Sequence, residues 1–232
     1  MHRNHQQPAQ SHLFDVPAAG PAGEPEHRTA ATPHEAAIEK LLTRCPSLAD
    51  LQAAAAGCTA CALRSGCAQV VFGEGNPTAG VIFIGEGPGE TEDQLGRPFV
   101  GRAGQLLDKI LEASGFPRED VYIANVVKCR PPDNRQPTPQ ETQACLPWLE
   151  AQIRLIRPRF LVLLGASAAQ TMLDPKLRIT AARGRWRERQ GLRCLPTFHP
   201  AALLRDPSKK RPVWEDMKKL RAEYDKTTAR ER

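Results

Sequence analysis

The sequence predicts an α/β fold, a three-layer αβα arrangement around a central, mainly parallel, four-stranded sheet. Three observations carry that prediction. Short apolar runs, several rich in β-branched residues, recur at 81–84, 121–127, 160–164 and 193–198. Segments with helical period and capping signals separate them, the alternation that builds a parallel sheet covered on both faces. The first run, Val81-Ile82-Phe83-Ile84, passes directly into Gly85-Glu86-Gly87-Pro88-Gly89-Glu90. A glycine-bearing turn at a strand end is where open α/β sheets build their binding sites.

Residues 1–31 are dominated by proline, glycine and alanine and lack apolar period. A disordered tail is expected there, followed by one domain over 32–228. Five of the six histidines lie at or before His34, at irregular spacing, which suits a solvated segment better than a metal site. Thr32-Pro33-His34-Glu35 then supplies an N-cap, a first-turn proline and a capping-box glutamate. Ser47-Leu48-Ala49-Asp50 opens a second helix the same way, and a cysteine-bearing loop runs from Cys58 to Cys67. A helix near 102–114 places Ala103, Leu106, Leu107, Ile110 and Leu111 on one face. Thr138-Pro139-Gln140-Glu141 caps a long helix that stops before Pro158. A short helix, an arginine-rich stretch and the last strand follow. The final helix sets Val213, Met217, Leu220 and Tyr224 on one side.

At 232 residues and 41% apolar content the chain can bury a real core. The net charge of +6 and pI near 9.1 suit a polyanionic partner. No apolar run reaches membrane-spanning length and the N-terminus lacks the apolar segment of a signal peptide, so a cytoplasmic protein is expected. In that compartment seven cysteines point to metal or redox chemistry rather than disulfides.

The loop after the first strand carries Glu86, Glu90, Glu92 and Asp93. A phosphate cradle would not be lined with acid, and Glu90 stands where a dinucleotide fingerprint needs its last glycine. Cys58-Thr59-Ala60-Cys61 is a C-x2-C pair, with Cys129 at the end of the second strand and Cys145 in the long helix. Four thiolates from three elements suit an iron–sulfur cluster or a structural zinc, and the 2+1+1 spacing favours the cluster. Cys67, close to the pair, is the likeliest false ligand. His199 follows the last strand, where an imidazole can donate to negative charge developing on a substrate oxygen. Asn125 offers a donor and an acceptor side by side, the complement of a pyrimidine imide edge. Phe99 can stack on a base, and Leu203 or Leu204 can wedge into a base stack. Arg183, Arg185, Arg187, Arg189 and Arg193 form one basic group and Arg205, Lys209, Lys210 and Arg211 another, both read as phosphate clamps.

Taken together, the stretches 85–93, Gly96-Arg97-Pro98-Phe99-Val100-Gly101, Asn125-Val126-Val127-Lys128-Cys129-Arg130-Pro131-Pro132 and His199-Pro200-Ala201-Ala202-Leu203-Leu204-Arg205 closely resemble family 4 uracil-DNA glycosylases, the iron–sulfur members of their superfamily. The likeness covers residues from about 50 to 224. It implies a monofunctional base-excision repair hydrolase that flips uracil out of DNA, cuts its N-glycosidic bond and leaves an abasic site. It also implies a monomer with uracil-containing DNA as its partner, and neither a nucleotide cofactor nor a membrane. Transferred position by position, Phe99 stacks on the uracil, Asn125 bonds its imide edge, His199 steadies the departing anion and Leu203 fills the vacated place. Gly87 and Arg205 complete the substrate contacts, and Cys58, Cys61, Cys129 and Cys145 hold a [4Fe–4S] cluster. Relatives in another branch place an aspartate at the position of Gly87. The attacking water therefore falls to Glu86 or Glu92, with Glu86 expected to orient it and Glu92 as a possible wall against thymine's methyl group. The loop 130–137 has no histidine, unlike a relative that binds uracil-DNA covalently, which favours turnover. A non-catalytic DNA-binding module and a nucleotide-binding α/β protein are the rival readings.

Overall fold

The structure, a computed structural model, describes residues 32–230, so the expected tail over 1–31 lies outside the described residues. Four parallel strands form the centre of the sheet: β2 (Val81–Gly85), β3 (Tyr122–Asn125), β4 (Phe160–Leu164) and β6 (Leu192–Thr197). They stand in the order β3-β2-β4-β6. Two strands not anticipated from the sequence extend it to six. β1 (Glu74–Gly75) pairs antiparallel with β3, and β5 (Arg187–Arg189) pairs antiparallel with β6. Both are too short and too polar to show an alternating pattern. The expected strand over 121–127 is also shorter, because the chain leaves the ladder after Asn125 and bends through Val126 to Cys129.

Every residue of β2 and β4 is buried, as continuous apolar runs require when helices cover both faces. Ile82, Ile84, Leu161 and Leu163 pack with Leu149, Ile153 and Ile156 of α6 (Pro139–Ile156) and Ala168 and Met172 of α7 (Ala166–Met172). Val81, Phe83, Phe160 and Val162 point the other way. They meet Leu107 and Leu111 of α5 (Arg102–Ala113) and Val213, Met217 and Leu220 of α10 (Lys210–Arg230). The period-2 alternation of side chains thus separates two cores. Outside α6 a third core joins α1 (Pro33–Arg44) and α2 (Leu48–Ala56) through Ile38, Leu51, Ala55 and Ala151. The capping boxes of Thr32 with Glu35, Ser47 with Asp50 and Thr138 with Glu141 form as their spacing predicts. Since β3 and β4 flank β2 on opposite sides, the connections diverge at the tip of β2, which opens a crevice there.

Candidate active site

That crevice is a cavity of about 710 Å³. Glu86 enters it from the tip of β2, Asn125 from β3, Leu164 and Gly165 from β4, and Phe198 and His199 from the end of β6. The three side chains expected to act together therefore face one space. Gly87, Phe99, Glu92 and Arg205 line it as well. The loop 130–137 contributes Asn134, Arg135 and Gln136, a wall the sequence did not suggest.

Asn125 is 1% exposed, and its Oδ1 is the buried side-chain oxygen or nitrogen without a hydrogen-bond partner among the described residues. An orphaned buried carbonyl carries a desolvation cost of about 1–3 kcal/mol, so a donor from outside the chain is implied. Gly85 makes its position possible: a methyl group there would collide with both Asn125 Oδ1 and the Phe99 ring. The Phe99 ring is 5.5 Å from that of His199, centroid to centroid.

His199 caps α9 (Pro200–Arg205), its Nδ1 accepting from the Ala201 N–H at 3.1 Å. An Nδ1 that accepts leaves the proton on Nε2. Burial, helped by the Arg205 charge and opposed by Glu92, lowers its pKa to about 4. The imidazole is thus a neutral N–H donor at neutral pH. Burial raises the pKa of Glu86, and the hydroxyl of Ser167, hydrogen-bonded to it, pulls partly back. Ser167 was not singled out from the sequence; the only signal was Gly165-Ala166-Ser167 directly after a strand.

Glu92, the second candidate for the water and the expected wall against thymine's methyl group, is engaged by backbone amides. Its Oε1 accepts from Val100 N–H at 2.9 Å and Gly101 N–H at 2.7 Å, and its Oε2 from Gly89 N–H at 3.1 Å. A carboxylate holding three amides is a clamp on the loop that carries Phe99. That loop needs one, since Phe99 sits at φ 52°. Arg118 grips it from behind, donating to the carbonyls of Pro98 and Phe99 at 2.7 and 3.2 Å.

Two further expectations are corrected. Leu203 is 1% exposed and packed in the core with Leu107 and Leu195, whereas Leu204 is 41% exposed. The short helix α9 buries the first leucine and turns the second outward, so Leu204 rather than Leu203 is the one presented at the surface. The first basic group is largely absorbed into ion pairs: Arg183 with the fully buried Asp216, Arg189 with Glu150 at 2.5 Å, Arg193 with Glu223 at 2.5 Å. The partners come from α6 and α10, distant in sequence. Of the second group, Arg205 and Lys209 line the cavity.

Behind β3, Cys58, Cys61, Cys129 and Cys145 line a second, smaller cavity with Trp148 and Lys128. Cys67 is buried beside Cys129 but does not line it. Among the described residues no three His, Cys, Asp or Glu side chains converge as ligands of a single ion would. Burial pushes the Cys145 thiol up to about 11 and Cys129 higher still. Lys128 is 2% exposed between the cavities, its own N–H directed at Cys145 Sγ, 3.2 Å away.

Comparison with known proteins agrees with this geometry. A family model described as the uracil DNA glycosylase superfamily matches residues 72–218. The chain is similar to the type-4 uracil-DNA glycosylase of Thermotoga maritima, 52% identical over 171 residues, 71% of this chain and 88% of the relative. It is similar to the type-4 uracil-DNA glycosylase of Archaeoglobus fulgidus, 40% identical over 184 residues, 75% of this chain and 92% of the relative. A DNA polymerase of a Bacillus phage is 33% identical over 136 residues, 58% of this chain but 15% of the polymerase.

Proposed function

Because the chain belongs to the uracil-DNA glycosylase superfamily, we propose that it excises uracil from DNA by hydrolysing the N-glycosidic bond. The observation that carries this reading is the unpartnered Oδ1 of Asn125 in the cavity that Glu86 and His199 share. Uracil flipped into the cavity offers N3–H to that oxygen and O4 to the Nδ2 amine, an imide edge that cytosine lacks. Phe99 supplies a flat apolar wall for the ring. Water, oriented by the Glu86 carboxylate, adds its oxygen to C1′ as the bond from C1′ to N1 breaks. The bonding pair passes into the uracil ring, the developing charge on O2 meets His199 Nε2–H, and the water proton leaves toward Glu86. A neutral imidazole suits an anionic leaving group, because it donates without protonating the base in advance. The ionised carboxylate also offsets positive charge on the sugar. Arg205 and Lys209 suit the flanking phosphates, and exposed Leu204 on the same short helix suits the gap left in the duplex.

Cys58, Cys61, Cys129 and Cys145 fit a [4Fe–4S] cluster. They come from three elements, surround one cavity and adjoin a buried ammonium. Thiols pushed upward by burial need metal charge beside them to ionise. A cluster spreads its iron atoms and so reaches thiolates that no one ion touches together. When bound it supplies a covalent brace between the 58–61 turn, the end of the β3 bend and α6. Uracil-containing DNA is the partner, a cytoplasmic monomer the expected form. No helix among the described residues is long and apolar enough to cross a membrane.

The test is excision from a labelled uracil oligonucleotide. Asn125→Ala should slow cleavage by about 10²-fold or more while DNA affinity, set mainly by phosphate contacts, stays near wild type. Wild-type protein in excess that produces no alkali-labile site would support the rival, a DNA-binding module without catalysis.

A further inference from the structure

We propose that the ammonium of Lys128 is the resident counter-charge of the four-thiolate centre and, through the carbonyl of Asn125, mechanically ties that centre to the uracil-reading amide. The inference rests on the cluster reading above. Lys128 Nζ donates to Asn125 O at 2.9 Å and to Gln152 Oε1 at 2.6 Å. Gln152 is 0% exposed and fixed in turn, its Nε2 donating to Phe72 O at 2.9 Å and to the Tyr122 hydroxyl at 3.1 Å. The Phe72 ring lies 5.9 Å from the ammonium. Every one of these partners is neutral. A buried ammonium surrounded by neutral acceptors is costly unless an anion lies close by. The neighbouring anion-forming group is the Cys145 thiol, which faces the backbone N–H of the same lysine. Four thiolates on a cluster carry net negative charge, and that charge helps set the potential of the centre. Lysine and cluster therefore each satisfy what the other lacks.

The second half of the proposal follows from where Nζ lands. The bend from Asn125 to Cys129 joins the amide that reads the base to a cluster ligand, four peptide units from one to the other through Lys128. Nζ closes that bend by gripping its first carbonyl. The side chain of the same residue carries the unpartnered Oδ1 in the cavity. Lys128 is thus a positioning residue for uracil recognition rather than a group that meets the substrate.

Full-length wild type, Lys128→Met and Lys128→Arg, purified without oxygen, separate these ideas by iron and sulfide content, cluster midpoint potential and inhibition by free uracil. Lys128→Met should lower the midpoint potential and weaken uracil inhibition about tenfold or more, while Lys128→Arg keeps a potential near wild type. Lys128→Met devoid of iron beside loaded Lys128→Arg would also support a charge requirement. A loaded Lys128→Met with wild-type potential overturns the counter-charge, as would two variants equally shifted or equally free of iron, which would mean shape rather than charge. Wild-type uracil inhibition in loaded Lys128→Met removes the tie to Asn125. Absence of iron and sulfide from wild type would instead overturn the cluster reading itself.

Discussion

Glu86 and His199 divide the pH dependence of the reaction between them. Glu86 acts ionised, and burial raises its pKa above the ordinary 4.5. The excision rate should therefore fall on acidification through that raised value and level off above it. His199, neutral down to about pH 4, adds no loss in the same range. Glu86→Gln should flatten this acid limb and slow the neutral-pH rate by about 10²-fold or more, read from single-turnover rates across pH. An acid limb that survives in Glu86→Gln would assign it to another group. The residues at 86, 125 and 199 were legible as candidates because each is chemically particular and each stands at or just past a strand end. Glu92 was not, because a sequence shows a carboxylate but not the three amides of Val100, Gly101 and Gly89 that occupy it.

Short elements carry the precision of the site. In α4 (Glu90–Leu95) the first turn turns its glutamate back onto the loop 99–101, so the acidic character that excluded a phosphate cradle is structural glue for Phe99. In α9 the paired leucines look alike in sequence, and only the packing of the helix on Leu107 and Leu195 separates them. Leu204→Ala should lower excision from duplex DNA while leaving single-stranded substrate nearly untouched, since only a duplex leaves a gap to fill. Leu203→Ala should behave oppositely, costing about 2–5 kcal/mol of stability in thermal or denaturant unfolding with equal loss on both substrates. Equal effects of the two variants would remove the distinction. The edge strands β1 and β5 and the shortened β3 were beyond sequence pattern, because two or three residues are too few to establish a period.

For the molecule as a whole, the parallel centre and its helical layers were readable from alternation and caps. The site followed because every candidate strand tip ends at the same edge of the sheet. Ion pairing was not readable: Arg183, Arg189 and Arg193 find acids from elements far along the chain. Among the described residues, all those lining the large cavity lie between Glu86 and Lys209. Removing residues 1–31 should accordingly leave the single-turnover excision rate within about twofold of the full chain, and a collapse of activity would give that segment a part in catalysis. The two outer strands have one more consequence. Among the described residues, a foreign polypeptide seeking to extend the sheet would find only two residues on one flank and three on the other, each already reversed in direction. Cross-chain β-stacking has little to grow from. The interior strands are thereby free to be as greasy as their depth demands without making the protein prone to clump.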